Sequence, residues 1–234
     1  MTLGRKATAE LVGTFMLLVG VVGSGILAGR LAPEDAALGL LVHALTVAGV
    51  LAAAILALGQ VSGAHLNPAV TLAVLIAGGV SRGEAAVYCA AQLAGAVIGT
   101  VTAHLMFSLP AVQIGTTQRA GAGILLGEFV ATGGLVLVIW GVVRRSDGRG
   151  VGAIALWVGA AIYCTSSHCF ANPAVTVARV LTDTYTGIRP LDAAAFLPVE
   201  VVGAVAATAL AAFLFPKPLP SGDVVVPQEG NERA

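Results

Sequence analysis

Two asparagines in this chain head the same pentapeptide. Asn67 opens Asn67-Pro68-Ala69-Val70-Thr71, and Asn172 opens Asn172-Pro173-Ala174-Val175-Thr176. Asparagine is among the strongest helix N-caps. Proline suits the first helical turn, because the N–H it lacks would have no partner there. Each box therefore predicts a helix start with a carboxamide at its mouth, able to donate and accept hydrogen bonds but not to ionise. Glu10 in AELVGTF and Glu128 in GEFVATG also stand in apolar runs. Carboxylates in such surroundings are costly and mark function. No Ser-His-Asp spacing, phosphate loop or metal motif accompanies them. Cys164, His168 and Cys169 make a poor ligand set. The predicted chemistry is recognition of a passing molecule, with no enzyme activity, no metal and no cofactor.

The elements that must position these groups follow from composition. The chain has 234 residues, 57% hydrophobic and only 10% charged, with mean hydropathy +0.93. Soluble domains average about 25% charged residues, so this reads as an all-α integral membrane protein in contact with lipid. Six long apolar segments cover roughly 7–29, 36–59, 84–107, 121–143, 150–166 and 192–215, near the ~20 residues a span needs, the fifth being short. Two half-length apolar stretches, 67–78 and 172–182, each begin at an Asn-Pro and predict re-entrant half-helices. The polar lead-ins GQVSGAH and CTSSHCFA supply non-helical backbone, which is tolerated at membrane depth only if buried or lining a wet cavity. Ten-residue alternating strands are absent, which excludes a β-barrel. A basic tract for nucleic acid is also missing, and three cysteines do not make a disulfide framework.

Three spans per half put the halves in opposite senses. The chain therefore reads as an inverted repeat, about 1–110 and 120–216, within a single channel domain 1–216, followed by a polar tail 217–234. Arg5, Lys6, Arg82, Arg144, Arg145, Arg149 and Lys217 fall on one side, and Arg30, Arg119, Arg179 and Arg189 on the other. The bias puts both termini, and the tail, in the cytoplasm. Half-helices entering from opposite faces bring Asn67 and Asn172 together near the centre, each at the positive end of a helix dipole.

On these residues the chain resembles the major intrinsic protein (aquaporin) family over about residues 5–216. The resemblance rests on the two Asn-Pro-Ala boxes, on SGAHLNPAVT and on the paired Glu10 and Glu128. It implies six transmembrane helices plus two re-entrant half-helices, one pore per subunit, a homotetramer, and passive conduction of water or small neutral solutes. It also implies that Glu10 and Glu128 hold the pore-lining loops, with His65 and Gln92 supporting the first. The matching filter positions are His43, Ala160, Cys169 and Val175. The family usually has Arg where Val175 stands, which implies a wider, less polar filter and a lower barrier to cations. Thr176 replaces the Asp of glycerol facilitators. The segment FANPAVTVARVLTDTYTGI is similar to a branch linked to bacterial arsenic-resistance operons, which implies passage of As(OH)3 across a bacterial cytoplasmic membrane. The alternatives are a water-selective pore, or a secondary transporter built on inverted repeats. The transporter would need a second set of ionisable groups in the spans.

Overall fold

The computed structural model describes residues 1–143 and 150–215. Arg144, Arg145, Arg149, Lys217 and the tail 217–234, used above for orientation, lie outside the described residues. Eight helices follow one another: α1 (Leu3–Leu31), α2 (Ala36–Ser62), α3 (Pro68–Ile76), α4 (Arg82–Met106), α5 (Ala122–Val142), α6 (Gly150–Cys164), α7 (Pro173–Arg179) and α8 (Pro190–Leu214). Five of them, α1, α2, α4, α5 and α8, are long and apolar enough to cross a membrane. The short fifth span of the sequence is α6, an apolar helix of 15 residues.

Local chemistry explains the boundaries. Thr2, Asp35 and Ser81 cap α1, α2 and α4 by accepting backbone N–H bonds with their side chains, which relieves the orphan donors of a first turn. At the end of α2, Gly63 takes the left-handed conformation at φ 84°, the geometry glycine adopts without a Cβ clash. The short helices α3 and α7 start as the Asn-Pro reading requires, with Pro68 and Pro173 in the first turn and Asn67 and Asn172 as caps.

Packing repeats in the two halves. Helix α1 lies along α4, and α5 along α8, while each half-helix also reaches across, α3 onto α8 and α7 onto α4. Close approach depends on glycine. A Cβ at Gly95 of α4 would strike the Leu11 carbonyl oxygen of α1, and one at Gly203 of α8 would lie 3.0 Å from the Phe129 carbonyl oxygen of α5. Small residues at such crossings let helix backbones meet inside a membrane. Among the described residues the core is aliphatic and shared by both halves. It leaves the two Asn-capped helix starts pointing at one another.

Candidate functional site: a pore between two half-helices

Each lead-in to a half-helix kinks in the same way. Ala64 and Leu66 before Asn67, and Cys169 and Ala171 before Asn172, have φ between 47° and 51°. These are left-handed values that non-glycine residues adopt only when their surroundings impose them, and such strain gathers at functional sites. The extended caps then turn the chain into α3 and α7, with φ/ψ of −160°/121° at Asn67 and −160°/109° at Asn172. Asn67 accepts the Ala69 N–H at 2.8 Å, and Asn172 accepts the Ala174 N–H at 3.0 Å. The amide nitrogens reach across the molecule. Asn67 Nδ2 donates to the Ala171 carbonyl at 2.7 Å, and Asn172 Nδ2 donates to the Leu66 carbonyl at 2.9 Å.

Buried carboxylates pin the strained loops. Glu10 is fully buried and accepts four hydrogen bonds. The Ser62 hydroxyl (2.7 Å) and the His65 N–H (2.9 Å) meet Oε1, while the Leu66 N–H (2.7 Å) and Gln92 Nε2 (2.7 Å) meet Oε2. Gln92 Nε2 also donates to the Thr71 hydroxyl at 3.0 Å, which in turn lies 3.1 Å from His65 Nδ1. In the second half Glu128 accepts the Phe170 N–H at 3.2 Å and a short bond from the Ala171 N–H.

A third carboxylate completes that loop, and the sequence reading missed it. Glu200 of α8 is fully buried, accepts the Asn172 N–H at 3.2 Å and the Thr176 hydroxyl, and adjoins Glu128. Its Oε2 has no hydrogen-bond partner. Glu200 stands ten residues into α8, as Gln92 stands ten residues into α4. Aligning the two halves would have shown this carboxyl in the place of an amide. The spans thus hold more ionisable groups than Glu10 and Glu128 alone.

Between the two boxes runs a cavity of about 60 Å³, room for roughly four to six waters at ~10–15 Å³ each. Asn67 and Asn172 line it beside the left-handed loop residues Ala64, Leu66, Cys169 and Ala171. Elsewhere the wall is aliphatic, from Leu17, Val21, Val47, Leu51, Ile55 and Leu135 among others. At one end stand His43, Val175 and Arg179. His43 is held by Ser24 Oγ, 2.8 Å from its Nδ1, and its ring meets that of Tyr185 edge-on with centroids 6.1 Å apart. His65 also lines the cavity.

Of the four filter positions read from the sequence, His43, Cys169 and Val175 border the cavity and Ala160 does not. Ala160 lies on the exposed side of α6, and Ile154, Val158 and Ile162 face the cavity from that helix. The count back from Asn172 fails because three left-handed residues, His168, Cys169 and Ala171, interrupt the helical ruler. The apolar position at Val175 does not leave this end uncharged either. Arg179, counted from the sequence only among the charges on the outer side, is buried and lines the same cavity. No group of three or more His, Cys, Asp or Glu suited to a metal occurs among the described residues.

The family model of the major intrinsic proteins matches residues 1–166. The chain belongs to the major intrinsic protein family. The aquaglyceroporin AqpS of Rhizobium meliloti (strain 1021) is 42% identical over 212 residues, covering 91% of either chain. A probable aquaporin, AqpM, of Archaeoglobus fulgidus is 31% identical over 241 residues, covering 92% of this chain and 97% of its own. The solved aquaglyceroporin of Plasmodium falciparum superposes with a TM-score of 0.70 at 24% identity, over 92% of this chain and 98% of that one, a likeness of fold. The all-α, inverted, aquaporin-like membrane fold is thereby established. So is the general activity: an integral membrane channel for water and small solutes, which is not an enzyme.

Proposed function

We propose that this member passes small uncharged solutes through one pore per subunit, with As(OH)3 and small polyols conducted alongside water, and that His43, Cys169 and Val175 form its constriction. The observation that carries the reading is the lining. The cavity is walled by aliphatic side chains, with polar groups concentrated at the paired asparagines and at the His43 end. Val175 stands where a bulky cation would narrow the passage. A compact polyol or trihydroxy acid, neutral near pH 7, suits such a wall, whereas an ion would lose its hydration with little in return. The relative in Rhizobium meliloti is named an aquaglyceroporin, and the likeness of FANPAVTVARVLTDTYTGI to the arsenic-linked branch points to As(OH)3. Glu10 and Glu128, helped by His65 and Gln92, act as supports of the two loops. The family resemblance adds a homotetramer in the bacterial cytoplasmic membrane, a channel domain over 1–216 and a tail 217–234, with both termini cytoplasmic.

Stopped-flow light scattering on proteoliposomes tests the reading with water, glycerol and As(OH)3 run in parallel. All three permeabilities should exceed those of empty liposomes. Val175→Arg should suppress glycerol and As(OH)3 about tenfold while water falls less than about threefold. Equal loss of all three would show that residue 175 does not set the width.

A further inference from the structure

We propose that Arg179, with Arg119 beside it, supplies the fixed positive charge that keeps cations out of this pore, from one helical turn beyond Val175. The proposal rests on the channel reading. Val175 and Arg179 are four residues apart on α7 and so share a helix face, and both border the cavity. The Arg179 side chain reaches back over the Phe170 ring, with its guanidinium carbon 3.4 Å from the centroid. Its Nε donates to the Thr186 carbonyl. The terminal nitrogens have no acceptor among the described residues, so their donors are free for whatever occupies the cavity. Arg119 comes from the segment between α4 and α5. It sits 5.2 Å from the same ring centroid, with Nε on the Gly187 carbonyl (2.9 Å) and Nη2 on the Tyr185 carbonyl (3.3 Å).

Two guanidinium groups therefore share one aromatic ring and three carbonyls of residues 185–187, and no carboxylate lies within 4 Å of either among the described residues. Carbonyl dipoles and a ring quadrupole steady a cation without cancelling its charge. Arginine stays protonated across the accessible pH range. The segment that holds the pair is itself fastened. Gly187 N–H donates to Thr184 O (2.9 Å), Ile188 N–H to Arg179 O (3.3 Å), and Arg189 N–H to Thr117 O (2.9 Å). Glu128 and Glu200 act on Arg179 only from beyond ion-pair distance, and a buried charge without a contacting counter-ion is costly in a membrane protein and marks ion pathways. Here the charge faces a cavity of about 60 Å³ walled largely by aliphatic side chains. An entering cation meets repulsion in a low-dielectric setting, while a neutral hydroxylated solute meets unused N–H donors. The apolar step at Val175 and the charge barrier are thus separate devices on one helix face.

The test uses the purified full chain in liposomes, with water flux by stopped flow and leak by K+ and proton-sensitive dyes. Arg179→Met should raise K+ or proton leak, expressed relative to the variant's own water flux, about tenfold or more over wild type. Arg179→Lys should stay as tight as wild type. Arg179→Met combined with Val175→Arg should restore tightness, because the charge returns to the same face. Should Arg179→Met not yield folded protein, Arg119→Met serves in its place, with an expected several-fold rise in leak. A conducting variant lacking the charge that remains tight to K+ and protons overturns the proposal and leaves the channel reading standing. Wild-type liposomes that pass no water or solute above empty ones overturn both.

Discussion

Replacing Glu10 by Gln tests whether a buried charge holds the first pore loop. Each carboxylate oxygen accepts two hydrogen bonds, at 2.7 and 2.9 Å on Oε1 and at 2.7 and 2.7 Å on Oε2. A glutamine keeps one acceptor oxygen and turns an NH2 toward the other two donors. Two bonds to a charged acceptor are lost, at about 1.5–3 kcal/mol each, so the variant should be destabilised by roughly 3–6 kcal/mol. That is a large part of the ~5–15 kcal/mol that holds a typical protein folded. The swap Glu10→Gln/Gln92→Glu returns one bond, since the new amide at 10 can donate to a carboxylate at 92, while the Leu66 N–H stays without its acceptor. A double-mutant cycle should therefore show favourable coupling of about 1.5–3 kcal/mol. Denaturant unfolding of the four proteins in detergent measures it. Water flux should fall with stability, because the Leu66 carbonyl also accepts from Asn172. A loss below about 0.5 kcal/mol in the single variant, or additivity within about 0.5 kcal/mol, would refute the view that Glu10 clamps the loop.

Glu200→Gln should behave in the opposite way. Oε2 of Glu200 has no partner and adjoins Glu128, so an amide there gains an acceptor, and the unfolding midpoint should hold or rise, by up to about 1–3 kcal/mol; a drop as large as that of Glu10→Gln would contradict the assignment. Gly95→Ala forces a methyl onto the Leu11 carbonyl oxygen and should cost about 1–3 kcal/mol in the same assay. Gly29→Ala, with nothing within 4 Å of the new carbon, should be neutral or gain up to ~1 kcal/mol of helix propensity. Asp183 is exposed and accepts the Thr116 N–H and hydroxyl, both at 2.8 Å, which hold its carboxyl below the ordinary value of 3.8. The clamp between residues 116 and 183 is therefore complete above that value and is lost as pH falls through the lower folded-state value. Amide exchange at Thr116 should accelerate there relative to neighbouring amides, and should be fast at all pH values in Asp183→Ala, which has no acceptor to offer.

How much of this was legible in the sequence depended on whether a rule was local. The Asn-Pro boxes declared two helix starts because capping and proline preference act within a few residues, and Asn67 and Asn172 cap α3 and α7 with matching backbone angles. Long apolar runs located the spans to within a few residues at each end. Counting failed where the backbone leaves helical geometry, so Ala160 was placed in the lining while Ile154, Val158 and Ile162 occupy that wall. Arg179 was passed over because a charge near a helix end was counted only toward the membrane orientation. Its four-residue spacing from Val175 was the available signal. Glu200 was missed for want of comparing α8 with α4 position by position. The clamp of residues 113–117 onto 180–189 pairs segments far apart in the chain, and no local pattern announces it.

The crossed amide bonds have a consequence for how the polypeptide matures. The carboxamide of residue 67 finds its acceptor at residue 171, and that of residue 172 finds its own at residue 66. While the ribosome is still delivering the later spans, the earlier hydrophilic hook has no mate inside the bilayer. Neither repeat can thus reach a finished interior alone, because each hook finds its acceptor only in the other half.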